Sequence, residues 1–347
     1  MNITLSRVRV AVTVLAMAVP QSGFARPQQQ EITLSAFTTG ANWPLYIAKE
    51  AGYYEKYGLK VRLAFGIQPA PMAMLISDEA KVTISTLDQA LLASAKDPSL
   101  VAIGTLCKKS LYALIVPRNV ANVRDLKGKR IGVSQLSDSS YTYAVKILQS
   151  YGLSPREIEW VVIGTNARAA ALTSGRVDAT MLTAPTYFRL EEAGYKSLAN
   201  ISDFENIYTP TVNLVKRTSV IANPTLPEQL TKAHAEAIKR FYEDKAFAVQ
   251  AYLAYDKQEP ADIERLYDLY AKSNSFERIP YVPTMAVRYT INNQADLSIS
   301  RQLKTFDFRT VFDNTTIDRM VRGHFFENLF GPSIKSEQEL RQREAFR

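Results

Sequence analysis

Cysteine and histidine are scarce in this sequence, which contains one cysteine, Cys107, and two histidines, His234 and His324, among 347 residues. A single cysteine has no partner for a disulfide within the chain, and these residue types cannot supply the ligands of a structural zinc site. We therefore expect no disulfide framework, no metal and no other cofactor. Cys107 ends an apolar run, so its thiol is expected to be buried.

Runs of like charge and low-complexity segments are also missing. The 42 lysines and arginines are interspersed with 34 acidic residues, and a formal net charge of +8 without a basic run is typical of a solvated surface rather than of a nucleic-acid partner. Glycine and proline are ordinary in number, with 14 and 16 residues, and 46% of the chain is hydrophobic. This composition excludes a disordered chain and favours roughly two globular domains.

The N-terminus has the pattern of a secretory signal. Arg7 and Arg9 precede the uncharged apolar segment 10–19, a proline follows, and small residues stand at the two positions that a signal peptidase reads. We expect residues 1–25 to be removed, so that a periplasmic mature protein begins near Arg26. The apolar segment is about half as long as a membrane span, which makes a permanent anchor the weaker alternative. No cysteine follows it to carry a lipid.

Alternating strands and helices dominate the rest of the chain. Residues 32–37 alternate apolar and polar side chains as a strand does, and a helix opening with proline follows. Repetition of such units predicts an α/β protein with two bodies in series, residues 26–116 and residues 117–211, each with a mainly parallel sheet flanked by helices. Residues 212–347 return to the first body and add helices to it. Two crossings between the bodies would form a hinge.

Three segments resemble a known family. Residues 44–59, PLYIAKEAGYYEKYGL, resemble the first-helix signature of periplasmic substrate-binding proteins that feed ABC importers for nitrate, sulfonates, taurine and thiamine precursors, the NMT1/THI5-like family. Residues 125–133 resemble that family's entry to its second lobe, and residues 171–179 resemble a later helix-to-strand turn. The resemblance covers residues 31–220 and implies the two-lobed type II periplasmic-binding-protein fold, a ligand enclosed between the lobes, and an ABC permease in the inner membrane as partner.

Loops that follow strands of the first lobe supply one set of candidate ligand-binding residues. Ligands of open α/β sheets bind beyond the carboxyl ends of the strands, where helix N-termini offer unpaired N–H groups. The first such loop contains Thr39, Asn42 and Trp43, and Trp43 could cover a flat or apolar ligand or merely seal the lobe. The second contains Ser85 and Thr86, of which Thr86 also fits the N-cap of the next helix.

The second lobe offers a hydroxyl-rich loop, an arginine and a threonine at equivalent positions. Hydroxyls and free amides at a helix start suit an anion, and the guanidinium of an arginine can grip a carboxylate, sulfonate or phosphonate with two hydrogen bonds. The alternative for each residue is an ordinary helix cap or a solvated side chain. The candidates of this lobe are Ser137, Asp138, Ser139, Ser140, Arg168 and Thr183. The first-turn acid Asp88 fits a role in stabilising its helix dipole better than a role in binding.

No catalytic constellation is visible in the sequence. Both histidines fall in or near the C-terminal helical region, and no phosphate-binding loop occurs. The related yeast pyrimidine synthase carries a cysteine-rich motif with a catalytic histidine, from which this chain departs because it has only Cys107. We therefore expect no enzyme and no catalytic residues, but a monomeric carrier of a small anionic organic ligand. The alternatives are a ligand receptor for a membrane sensor and an exported enzyme on the same fold.

Overall fold

The structure of the protein is a computed structural model. It describes residues 30–67, 70–108, 111–136, 138–204, 210–295, 303 and 305–347. The expected signal peptide, residues 1–25, and the candidate Ser137 lie outside the described residues. Within those ranges, every helix is too short or too polar to cross a lipid bilayer.

The first sheet forms the core of one lobe, called lobe I. Its strands are β1 (Gln30–Ala36), β2 (Leu59–Phe65), β3 (Val82–Thr86), β4 (Leu100–Cys107) and β10 (Thr211–Lys216). They lie in the order β2-β1-β3-β10-β4, with β1 parallel to β2 and β3 and β10 antiparallel to β3 and β4. Strand β4 is buried along its whole length, in keeping with its largely apolar sequence, whereas the edge strand β2 begins with alternating buried and exposed residues.

The second sheet forms the core of lobe II. Its strands are β5 (Tyr112–Val116), β6 (Arg130–Val133), β7 (Glu159–Val162), β8 (Ala179–Thr183) and β9 (Lys196–Asn200). Their order is β7-β6-β8-β5-β9, the same arrangement as in lobe I, and β5 alone runs against the other four strands. The expected boundary after residue 116 is therefore displaced, because β5 pairs with β8 and β9 of lobe II. The reversed strand of each sheet is the first that the chain forms after crossing between lobes.

Helices cover the sheets and make up the C-terminal region. They are α1 (Trp43–Glu50), α2 (Tyr53–Lys56), α3 (Ala70–Ile76), α4 (Leu87–Lys96), α5 (Ser139–Ser150), α6 (Arg168–Thr173), α7 (Thr186–Glu192), α8 (Arg217–Ala222), α9 (Leu226–Glu243), α10 (Lys245–Leu253), α11 (Pro260–Lys272), α12 (Thr284–Ala295), α13 (Thr315–Arg322), α14 (Phe325–Phe330) and α15 (Lys335–Glu344). Helices α9 and α10 of the C-terminal region pack on α1 of lobe I.

The two lobes touch each other in this structure. Arg265 of α11, on the lobe I side, donates to the Glu191 carboxylate of α7 in lobe II at 2.8 Å, and its guanidinium lies 3.8 Å from the centroid of the Phe188 ring. The Lys146 ammonium of α5 lies 5.1 Å from the centroid of the Tyr289 ring of α12. The helix starts of both lobes are thereby brought together.

Candidate functional site

Four titratable groups from the two lobes are linked by electrostatic interactions: Tyr112 interacts with Asp88, Asp138 and Arg168, and Asp138 interacts with both Asp88 and Arg168. Burial, and then the charge of Asp138 in lobe II, raises the pKa of Asp88 in lobe I to about 7. Burial raises the pKa of Tyr112 to about 12, against the opposing charge of Arg168. All four residues stand at strand or helix ends, and Asp88, Asp138 and Arg168 follow the carboxyl ends of β3, β6 and β7. The structure thus brings the predicted helix starts together, and it adds Asp88 and Tyr112 to them.

Arg168 is the basic group of this site. It is the first residue of α6 and its side chain is fully buried, with an exposed fraction of 0%. Its three guanidinium nitrogens, Nε, Nη1 and Nη2, make no hydrogen bond of good geometry in the part of the chain that the structure describes, and the Tyr112 hydroxyl is the neighbouring group that interacts with them. A buried charge without a partner costs several kcal/mol, so this guanidinium can hold an anion with bidentate hydrogen bonds.

Oxygen atoms of lobe I make up another part of the site. Asn42, Ser85 and Asp88 are at most 5% exposed. Asn42 donates its amide N–H to the Phe37 carbonyl at 2.7 Å. Its Oδ1, together with Ser85 Oγ and Thr86 Oγ1, is buried without a hydrogen-bond partner among the described residues. Thr86 occupies the N-cap of α4, but its hydroxyl makes no capping hydrogen bond, so the side-chain cap expected from the sequence is absent.

Asp88 was missed as a candidate site residue. Its Oδ1 accepts the backbone N–H of Gln89 at 3.0 Å, whereas its Oδ2 is buried with no partner within the described ranges. The only sequence signal was an acid in the first turn of a helix that follows a strand, and most such acids are solvated. Asp88 is distinguished by its burial and by the charge of Asp138 in lobe II, which both raise its pKa.

The lobe II loop that precedes α5 is held together by its own hydrogen bonds. Asp138 Oδ1 accepts the N–H groups of Ser140 and Tyr141 at 3.0 and 3.2 Å and the Ser140 hydroxyl at 2.6 Å. Ser140 Oγ also accepts the N–H of Ser134 at 2.9 Å. Asp138 and Ser140 therefore cap and brace the helix start, as in the alternative of an ordinary helix cap, and their contact with a ligand stays a prediction. Ser139 is buried at the first position of α5.

The structure overturns the prediction that Trp43 covers a ligand. Its ring is fully buried between the aromatic rings of α9, α10 and α11, and its centroid lies 4.7 Å from that of Tyr252. The indole N–H donates to the Ala248 carbonyl at 2.7 Å. Trp43 therefore joins α1 to the C-terminal helices. Thr39 and Thr183 remain at the site's edge, where both are partly exposed and Thr183 pairs with Tyr112 between β8 and β5.

A cavity of about 370 Å³ lies next to these groups, between lobe II and α11. Its lining combines apolar side chains with charged ones, and it shares Tyr112 with the cluster described above. The charged residues of the lining are Glu191, Asp203, Arg265 and Lys272. The volume falls in the range typical of small-molecule sites.

Two lobes of like topology, with polar helix starts facing each other between them, define an α/β protein with the two-lobed periplasmic-binding-protein fold. Residues 41–248, more than half of the sequence, match the family described as "NMT1/THI5 like", and the chain belongs to that family.

Individual relatives agree with this assignment. The taurine-binding periplasmic protein of Escherichia coli (strain K12) is 27% identical over 157 residues, which are 44% of this chain and 46% of that protein. A solved structure of the periplasmic aliphatic sulphonate binding protein from Escherichia coli has the same fold, with 20% identity and a TM-score of 0.68 over 81% of this chain and 91% of that one. The chain spans less than half the length of the curated relatives that it matches.

Other relatives correct the expectation that the chain is no enzyme. The 4-amino-5-hydroxymethyl-2-methylpyrimidine phosphate synthase of Schizosaccharomyces pombe is 26% identical over 138 residues, 39% of each chain. Relatives from Uromyces fabae and Aspergillus parasiticus bear the same name, which is that of an enzyme. Membership of this family therefore does not exclude catalysis. The scarcity of cysteine and histidine was too narrow a criterion for predicting that the chain is no enzyme.

Proposed function

We propose that this protein is an exported solute-binding protein, which captures a small anionic organic molecule between its lobes and delivers it to an ABC permease. The observation that carries the proposal is Arg168, a fully buried cation whose guanidinium nitrogens have no partner among the described residues. It lies where the helix starts of both lobes meet. An anionic ligand would supply the charge and the acceptors that this group lacks.

The choice of an anion rests on the chemistry of the guanidinium. Arginine stays charged at every physiological pH, and its planar fork matches the two oxygens of a carboxylate, sulfonate or phosphonate. The positive charge of Arg168 acts to lower the pKa of Asp138, but Asp138 Oδ1 already accepts three hydrogen bonds from its own loop. The guanidinium is therefore available to a ligand.

Export to the periplasm is supported by two further observations. The N-terminus combines Arg7 and Arg9 with a short apolar run, as signal peptides do. The taurine-binding relative is named as a periplasmic protein. A carrier that collects its solute there needs a membrane permease as its partner, because the sequence has no phosphate-binding loop to drive transport itself.

The test begins with mass spectrometry of small molecules released from freshly purified, denatured protein. Calorimetric titration of the recovered anion follows, with wild type, Arg168→Met and the matched control Arg176→Met, which removes an exposed arginine of the same lobe. Loss of a charged hydrogen bond costs about 1.5–3 kcal/mol, so Arg168→Met should bind roughly ten- to a hundredfold more weakly while the control binds normally. Wild-type affinity in a folded Arg168→Met protein would contradict the proposal.

The synthase relatives favour a second candidate function, which is catalysis on the bound molecule. Incubation of the recovered ligand with the protein distinguishes the two functions. A carrier returns the ligand unchanged, whereas an enzyme returns a product of different mass. Capture of a permease on the tagged protein from membranes would support delivery, and capture of a sensor histidine kinase in its place would contradict it.

A further inference from the structure

Asp88 is a second buried ionisable group of the site; it lies in lobe I and, like Arg168 of lobe II, interacts with Asp138 and Tyr112. Its exposed fraction is 5%, and its Oδ2 has no hydrogen-bond partner in the described ranges. No lysine or arginine of those ranges forms an ion pair with it. The charge that acts on it most strongly is that of another acid, Asp138, whereas Arg168 acts on Asp138 and Tyr112.

The two acids of the site differ in how their charge is compensated. Asp138 accepts three hydrogen bonds at the N-terminus of α5, where the helix dipole also favours a negative charge. Asp88 accepts one of good geometry, from the Gln89 backbone, and the neighbouring Thr86 hydroxyl also lowers its pKa, but neither group carries a positive charge. A buried carboxylate needs a proton or a cation beside it. The described residues of lobe I supply no cation to Asp88.

The buried polar atoms without a hydrogen-bond partner around the site differ between the two lobes in whether they accept or donate hydrogen bonds. In lobe I they are oxygens, namely Asn42 Oδ1, Ser85 Oγ, Thr86 Oγ1 and Asp88 Oδ2. In lobe II they are the three donor nitrogens of Arg168. An amide oxygen and a carboxylate oxygen can only accept hydrogen bonds, and a guanidinium can only donate them. A ligand that satisfies both lobes must therefore present donors to lobe I and acceptors to lobe II.

We propose that the ligand is zwitterionic, with an ammonium or other protonated nitrogen that donates to Asp88 Oδ2 and an acidic group that binds Arg168. An ammonium has three N–H donors, and the Thr86 hydroxyl and the Asn42 amide oxygen are further acceptors on the same lobe. This inference rests on the proposed function, because it presumes that a small acid binds between the lobes. It adds a second recognition element, which discriminates amino acids and their sulfonic and phosphonic counterparts from simple acids.

The experiment compares three pairs of acids that differ in one amino group. The pairs are taurine and ethanesulfonate, β-alanine and propionate, and 2-aminoethylphosphonate and ethylphosphonate. Calorimetric titrations of all six use wild type, Asp88→Asn, Arg168→Met and the control Glu79→Gln, which removes an exposed acid of lobe I. Asp88→Ala, checked by circular dichroism, replaces Asp88→Asn if the latter does not fold.

In at least one pair, wild type and Glu79→Gln should bind the amino acid roughly ten- to a hundredfold more tightly than its partner without nitrogen. Asp88→Asn should abolish this preference without weakening the simple acid, and Arg168→Met should weaken both members. Equal binding within every pair that binds, or a preference that survives Asp88→Asn, overturns this inference and leaves the proposed function standing. Failure of wild type to bind any of the six also overturns this inference, whereas the proposed function fails only if the anion recovered from the protein binds Arg168→Met as tightly as wild type.

Discussion

Replacement of Asp88 by asparagine should make the ligand-free protein close more readily at neutral and alkaline pH. In the structure, where the lobes touch, burial and then the charge of Asp138 raise the pKa of Asp88 from 3.8 to about 7. When the lobes separate, water reaches the carboxyl and its pKa returns toward the ordinary range. The closed arrangement therefore holds a proton that the open one releases between pH 4 and 7.

The size of the effect follows from the difference between the two pKa values. Below about pH 4 the Asp88 carboxyl is protonated in both arrangements, and closure costs nothing on its account. The cost grows as the pH rises toward 7 and is complete above it. A difference of about 3 pKa units corresponds to about 4 kcal/mol, or on the order of a thousandfold in the ratio of closed to open molecules, and this is the upper limit of the effect, reached when opening exposes the carboxyl completely. Asp88→Asn removes this cost at every pH.

Small-angle X-ray scattering of ligand-free protein at pH 5 and pH 8 measures the effect as a radius of gyration. Wild type and the control Glu79→Gln should be more expanded at pH 8 than at pH 5, whereas Asp88→Asn should stay close to the compact value at pH 8. Burial also raises the pKa of Asp138, so both proteins keep some dependence on pH. The difference between them isolates the contribution of Asp88.

One result would refute this reasoning. If wild type and Asp88→Asn have the same radius of gyration at pH 8, and each is unchanged at pH 5, then protonation of Asp88 is not coupled to the approach of the lobes. Taurine or another acid that compacts both proteins equally would show that the hinge still works in that case.

Two further predictions concern processing and the core. Intact-mass analysis of periplasmic protein should show loss of residues 1–25, and a full-length chain in the membrane fraction would contradict the signal-peptide prediction. Trp43→Phe should lower the free energy of unfolding in urea by about 1–3 kcal/mol, because it removes the hydrogen bond to the Ala248 carbonyl and shrinks a buried ring. The ligand affinity of the variant should match that of wild type. Weaker binding at unchanged stability would indicate that Trp43 contacts the ligand after all.

Much of the fold could be predicted because strands and helices are encoded by local periodicity. The alternation of residues 32–37 predicted β1, and the apolar spacing from Tyr141 to Leu148 predicted the buried face of α5. The C-terminal helices were also expected on lobe I, because they have no sheet of their own to cover. The predicted lobe boundary after residue 116 was displaced because the sequence of a short apolar strand does not show which sheet the strand joins. Strand β5 was expected in lobe I but pairs with β8 and β9 of lobe II.

The sequence by itself determined the family, the alternation of strands and helices, and the helix starts at which Arg168 and Thr86 stand. Only the tertiary structure decided what each side chain at those helix starts does. Trp43 and Asp88 occupy similar places, near the first turn of a helix that follows a strand, yet Trp43 fills the aromatic core while Asp88 faces lobe II. The reason is physical, since local sequence specifies backbone conformation, whereas burial and the field of distant charges depend on which surfaces the two lobes bring together.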